Sequence, residues 1–115
     1  VCTKPVNLLS LYPTLTELAG LPSKEDNHGP SLVPLLKDQE ADWNHVSITH
    51  LGEPGSYGLS SEEWRYIHYA NGDEELYDSQ NDPYEYENLA GKPEMQSVKD
   101  ELAKWLPKNA VKPKR

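Results

Sequence analysis

The four histidines of this 115-residue sequence are the first residues to test as metal ligands. His45 and His50 are five residues apart on a predicted strand, so their side chains should point to opposite faces of a sheet. His28 and His68 fall on other predicted elements. Zinc in proteins needs three or four ligands that converge on one point. We therefore predict no metal site among these residues.

Other sequence patterns that support catalysis are also missing. When Asp78 is taken as the first residue of a calcium-binding loop, Pro83 stands where glycine is required and Leu89 where glutamate is required. The glycines of residues 52–58 lack phosphate-loop spacing, and no Gly-x-Ser-x-Gly motif occurs. Cys2 is the only cysteine, so no internal disulfide can form. We predict no catalytic residue in this chain.

The glycine-rich loop 52–58 and the end of the strand before it are the places in the sequence to consider for binding. His50, Glu53, Ser56 and Tyr57 are the candidates for contact with a substrate, because loops on a rigid sheet often carry recognition residues. A tyrosine there can stack on a sugar or form a hydrogen bond with it. The alternative is a plain connector, with His50 on the surface and Tyr57 packed within its own loop.

Composition excludes some partners. The formal charge of −8 has the wrong sign for binding nucleic acid, and the basic residues cluster in a tail at the C-terminus (Lys108, Lys112, Lys114, Arg115). No apolar stretch is long enough to span a membrane. The chain is 36% hydrophobic and contains 10 prolines, which predicts a thin core that depends on a neighbour. Because it opens without Met or a signal-peptide pattern, we expect it to begin inside a domain.

The N-terminal part of the chain has helical periodicity. Leucines at three- and four-residue steps predict a helix at about residues 10–19, with Ser10 as its N-cap and Gly20 as its stop. Residues 31–36 predict one short helical turn with Pro34 near its start.

The middle of the chain predicts an antiparallel sheet. Residues 45–50 alternate apolar and polar types, and residues 64–70 and 75–78 flank the Asn-Gly pair at 71–72, a strong hairpin signal. A further short strand near residues 56–59 would give three or four strands, whose order the sequence leaves open.

The C-terminal part predicts two helices. Asp82 and Pro83 indicate the start of a short helix that ends at Asn88, and residues 93–106 carry an apolar stripe that stops at Pro107. The second helix should pack across the sheet, which gives a two-layer α+β fold. Most aromatic side chains are then expected in the core and not on a sugar-binding platform (Trp64, Tyr66, Tyr69, Tyr77, Trp105).

Several blocks resemble sulfatases, in particular bacterial members close to iduronate-2-sulfatase. Pro5–Leu21 is similar to the family's Val-x-Leu-x-Asp-Leu-x-Pro-Thr-Leu-x-x-Leu-Ala-Gly helix, with Ser10 in place of Asp. Gly29–Leu36 is similar to Gly-x-Ser-Leu-x-Pro-Leu-Leu. The most specific block comprises Glu63–Gly72, Glu74–Asp78, Asn81–Pro83, Glu85 and Asn88–Ala90.

The resemblance implies a two-part enzyme with an alkaline-phosphatase-like α/β core and a smaller C-terminal subdomain. It assigns residues 1–36 to the last helix and connector of the core, and residues 37–115 to the subdomain. Sulfatases use a formylglycine, made within Cys/Ser-x-Pro-x-Arg, beside a divalent metal that is usually calcium. Cys2 lacks that motif, and the family's metal and sulfate ligands match no position here. The fragment should therefore be inactive without the N-terminal domain.

Three functional hypotheses remain open. In the first, the chain is part of a sulfatase that acts on a sulfated substrate, and the resemblance implies a carbohydrate substrate and a periplasmic or extracellular location. Alternatively, it is a non-catalytic carbohydrate- or protein-binding module derived from a sulfatase tail, or an expression product made without the core. The apolar face of the first helix distinguishes them, because only the binding module would have to function without a partner for it.

Overall fold

The computed structural model describes residues 1–108, and two compact units divide at Val46 and Ser47. The expected boundary between residues 36 and 37 concerned the domains of a longer protein and stays a prediction. The basic tail lies outside the described residues except for Lys108. Within residues 1–108, no helix is long and apolar enough to cross a membrane.

The first unit opens with a 3₁₀ turn at Leu8–Ser10 that continues into helix α1, Leu11–Leu18. Asn7, and not Ser10, provides the N-terminal cap, because its side chain accepts a hydrogen bond from the Leu9 amide at 3.1 Å. Ser10 is buried instead, and its carbonyl accepts the Thr14 hydroxyl. The prediction of Ser10 as the cap was wrong because the 3₁₀ turn moves the true start upstream.

The predicted stop at Gly20 is confirmed. Gly20 has a φ of +67° and donates to the Glu17 carbonyl, while Leu21 donates to the Thr16 carbonyl at 2.9 Å. These paired bonds form a Schellman motif. The predicted turn near Pro34 is also present as α2, Val33–Lys37. The first helix is therefore capped at both ends.

The second unit is built on a four-stranded antiparallel meander in the order β1-β2-β3-β4. The strands are β1 Ser47–His50, β2 Tyr57–Ser60, β3 Trp64–His68 and β4 Glu74–Asp78. The hairpin prediction for β3 and β4 and the short strand β2 are confirmed. His45, which was expected at the start of β1, lies before it.

One face of the sheet forms the core of this unit. Leu59, Tyr66 and Leu76 occupy facing positions on the three neighbouring strands, and all three are buried. Helix α3, Gln96–Ala103, follows a 3₁₀ turn at Pro93–Met95 and buries Leu102. The α+β prediction is thus confirmed, although the helix is shorter than expected.

The aromatic residues differ in burial. Tyr66 lies in the core, whereas Trp64, Tyr69 and Tyr77 are half-buried. Trp105 follows the end of α3 and is exposed, so its placement in the core was wrong.

The helix expected to start at Asp82 is absent from the structure, and a turn takes its place. Glu85 has a φ of +57°, which a right-handed helix cannot contain. The Asp82 carboxylate accepts the Glu87 amide at 2.8 Å, so this acid stabilises a turn. Asn88 does not end a helix. Its side-chain oxygen accepts the Leu76 amide at 3.1 Å, along the outer edge of β4.

Candidate substrate-recognition site

The loop between β1 and β2 is closed by its own backbone. The Leu51 amide donates to the Ser56 carbonyl at 3.0 Å, and the Ser56 amide donates to the Glu53 carbonyl at 2.9 Å. Gly55 has a φ of +96°, a conformation that glycine adopts without strain. These bonds give the loop a defined turn geometry next to His50, the last residue of β1.

Ser56 has a structural role in this loop. Ser56 is only 4% exposed, and its hydroxyl oxygen accepts a hydrogen bond from the Ala70 amide at 2.9 Å. The bond ties the β1–β2 loop to the turn between β3 and β4. Ser56 therefore positions its neighbours, and its hydroxyl is already engaged.

Tyr57 and His50 are directly opposite each other on β2 and β1. Their ring centroids are 5.0 Å apart and the ring planes meet at 77°, which is the edge-to-face arrangement that aromatic pairs prefer. Tyr57 is 4% exposed, whereas His50 and Glu53 are exposed. Of the four predicted residues, His50 and Glu53 can reach a ligand directly, and Tyr57 mainly orients His50.

The sheet register places a further histidine, His68, in line with His50 and Tyr57, which the sequence analysis did not select. Tyr57 faces His68 on β3, and His68 faces Glu74 on β4. Directly opposite residues lie on the same face of an antiparallel sheet. His50, Tyr57, His68 and Glu74 thus form one row across all four strands, which we call the histidine row. Strand order was the missing information.

Glu74 anchors this row to helix α3. Its two oxygens accept the Tyr66 hydroxyl at 2.5 Å and the Lys99 ammonium at 2.6 Å. Desolvation alone would raise the pKa of Glu74, but the hydrogen bonds from Lys99 and Tyr66 and the charges of Lys99 and His68 lower it overall. Burial and the bond to Glu74 raise the pKa of Tyr66. Glu74 therefore stays ionised beside His68.

The opposite face of the sheet carries a second polar group. Glu75 accepts hydrogen bonds from the hydroxyls of Tyr69, at 2.8 Å, and Tyr77, at 2.6 Å. The bond to Glu75, with a smaller effect of burial, raises the pKa of Tyr77 to about 12. The Arg65 side chain lies near Gly58 and donates to the Ser60 hydroxyl at 2.9 Å. These contacts join residues on the opposite face of the sheet and do not involve the histidine row.

Metal binding finds no support in the geometry of the described part of the chain. Residues 1–108 contain no group of three or more His, Cys, Asp or Glu side chains that could hold a metal ion. We therefore assign none of them to calcium. The structure describes Cys2 as an exposed free thiol.

An antiparallel meander with one covering helix, preceded by a helix with an apolar outer face, is the architecture expected for the C-terminal part of a sulfatase. A profile described as N-sulphoglucosamine sulphohydrolase, C-terminal, matches residues 2–112. The chain belongs to this family, which confirms the resemblance found in the sequence.

Individual relatives agree with this assignment. A sulfatase from Formosa agariphila is 38% identical over 104 residues, which are 90% of this chain and 20% of that protein. A delta 4,5-hexuronate-2-O-sulfatase from Bacteroides thetaiotaomicron is 33% identical over 78% of this chain and 20% of its own length. The chain thus spans about a fifth of the relatives that it matches.

A solved structure matches the fold as well. It is a complex of a protein with its substrate D-glucosamine-2-N,6-O-disulfate, and it is similar at a TM-score of 0.70 and 30% identity. The similarity covers 83% of this chain and 22% of the other.

Proposed function

We propose that this chain works as the C-terminal part of a sulfuric-ester hydrolase that removes sulfate from sulfated carbohydrates. The observation that supports this most is a family match over residues 2–112. The sulfatases related to this chain include proteins named for N-acetylglucosamine and hexuronate sulfate esters. Sulfate release from such saccharides by the full-length protein tests the proposal, and a protein that releases none would contradict it.

The chemistry is divided between this chain and the rest of the protein. The formylglycine and the calcium are expected in an N-terminal sulfatase domain, because the sequence here contains no Cys/Ser-x-Pro-x-Arg motif. This chain alone should release no sulfate. Adding the N-terminal domain in trans, or expressing the full-length protein, should restore activity.

The outer face of α1 is the surface proposed to bind that domain. Leu11, Leu15 and Leu18 are each more than half exposed, and Leu15 is 64% exposed. Contiguous exposed apolar side chains of this kind mark interaction surfaces. This observation favours the sulfatase over a free-standing binding module, in which the leucines would remain in water. The periplasmic or extracellular location belongs to the same proposal and rests on the family alone.

Within the full-length enzyme, His50 and the β1–β2 loop are proposed to contact the substrate. His50 and Glu53 are accessible, while Ser56 and Tyr57 hold them in place. His50→Ala should raise KM or change substrate choice by removing a contact, and Tyr57→Ala should do so by displacing His50. Steady-state kinetics on a panel of sulfated saccharides checks both variants. Unchanged KM and selectivity in both would exclude this loop from recognition.

A further inference from the structure

We infer that the first unit contains a binding site for a small zwitterion, a molecule that carries both a carboxylate and an ammonium group. The site is a cavity of about 410 Å³ between helix α1 and the loop that follows it. Cavities of roughly 300–1,000 Å³ are typical of small-molecule sites. This inference goes beyond the proposed function, because the cavity has no part in sulfate-ester hydrolysis.

The cavity lies on the opposite side of α1 from the exposed leucines. Pro13, Thr16 and Glu17 line it, at the three- and four-residue steps that bring side chains to one face of a helix. The exposed leucines of α1 occupy positions that are about half a turn away around the helix. A domain bound to the leucines would therefore leave the cavity open.

The loop side of the cavity contains a hydrogen-bond donor without a partner. The side-chain nitrogen of Asn27 is buried, and no group within residues 1–108 accepts a hydrogen bond from it. Buried polar groups nearly always have a partner, so an acceptor from outside these residues is expected. The terminal torsion of asparagine is broad, so a modest rotation turns this nitrogen into the cavity that Asn27 lines. Asn27 therefore fits a ligand oxygen.

Two side chains of opposite charge also line the cavity. Lys24 belongs to the loop and Glu17 to α1. Within residues 1–108, neither side chain forms an ion pair with the other or with any other residue. A ligand carboxylate beside Lys24 and Asn27, with an ammonium group toward Glu17, would give all three side chains a partner. Glu17 would repel a simple anion, so charge complementarity favours a zwitterion.

The rest of the lining indicates the body of the ligand. Pro13 and Leu21 supply apolar surface next to the polar groups. Small-molecule sites combine such apolar surface with a few polar groups that fix the orientation of the ligand. An aliphatic α-amino acid has a matching apolar body and carries both charges. L-Leucine is therefore the probe of choice.

Calorimetric titration of the full-length protein compares L-leucine with two analogues that each lack one charged group. Isocaproate lacks the ammonium group and isoamylamine lacks the carboxylate, and neither molecule is larger than leucine. We expect leucine to bind about tenfold more tightly than either analogue, as the loss of one charge-assisted hydrogen bond predicts.

The variants separate the contributions of the two charges. Lys24→Met should abolish the preference for leucine over isoamylamine and keep the preference over isocaproate, whereas Glu17→Gln should do the reverse. Asn27→Leu should weaken the binding of leucine several-fold, because it removes the amide donor. Lys37→Met and Glu40→Gln replace exposed charges outside the cavity and should leave both preferences unchanged.

Far-UV circular dichroism checks that each variant is folded. No detectable binding of leucine at millimolar concentration, or equal affinity of the unmodified protein for leucine and both analogues, would overturn the site. Preferences that survive in both Lys24→Met and Glu17→Gln would also overturn it. Sulfate release is measured separately, so a protein that releases none would contradict the proposed function and not this site.

Discussion

The two units of the chain differ in how far they bury their apolar side chains. In the first, the leucines of α1 point outward and remain exposed, although the helix is well capped at both ends. In the second, Leu59, Tyr66 and Leu76 are buried on one face of the sheet. Local signals therefore fix where the helix begins and ends, whereas the proposed docking would supply packing for its exposed leucines.

The largest difference between the units should appear on removal of a leucine side chain. Leu76 is 0% exposed, so Leu76→Ala should destabilise the protein by about 3 kcal/mol through lost burial and a cavity. Leu15→Ala should cost below about 0.5 kcal/mol in this chain, where that side chain is exposed. Chemical denaturation checks both. In the full-length protein, a cost for Leu15→Ala that stays near zero would contradict docking through α1.

Charged pairs within the second unit extend the comparison. Lys99→Met should cost about 2 kcal/mol, because it leaves the carboxylate of Glu74 partly buried without its cation. The double variant with Glu74→Leu should recover much of that loss. Lys104→Met is the matched control, because its pair with Glu101 is exposed and should be worth below about 1 kcal/mol. Equal losses in Lys99→Met and Lys104→Met would mean that the buried pair has no special role.

Acid should weaken the second unit through Glu74. Its pKa is lowered in the folded state from the ordinary value of 4.5, so the stabilisation is complete above that value. It is lost as pH falls through the lower folded pKa. Denaturation midpoints between about pH 6 and 3 should therefore fall less steeply in Glu74→Gln than in the unmodified chain. Glu101→Gln, at an exposed site, should retain the steep fall.

The smallest expected effect comes from the turn after β4. Glu85→Gly should stabilise the chain by about 0.5 kcal/mol, because the φ of +57° strains any residue with a side chain. Gln80→Gly provides the control, since the residue does not have a positive φ. Thermal melts of the two variants should shift in opposite directions. A loss of stability in Glu85→Gly would indicate that the glutamate side chain makes a larger contribution than the strain.

Features set by neighbours in the sequence were the ones that could be predicted. The Asn-Gly turn identified the β3–β4 hairpin, and Gly20 identified the end of α1. Asp82 and Pro83 have the residue types of a helix start, but the bond from Leu89 to the Leu76 carbonyl holds the segment against β4 instead. That long-range contact has no local signal.

The candidate site shows the same limit. His50 was found from its position at a strand end, next to a turn-rich loop. His68 was assigned only to a strand, because its relation to Tyr57 depends on strand order and register. The alternation of residue types along one strand shows which of its side chains share a face of the sheet. Which residue of the next strand lies opposite depends on the register, and this is set by the tertiary structure.

The outer edge of β4 has a consequence for how the protein behaves at high concentration. The Leu76 amide donates to the Asn88 side chain, and the Leu76 carbonyl accepts the Leu89 amide at 2.8 Å. An unpaired strand edge is a template on which a foreign strand can add. Asn88 also donates to the Glu74 carbonyl at 3.4 Å, so growth of a fibril from this side of the sheet would first have to break these three hydrogen bonds.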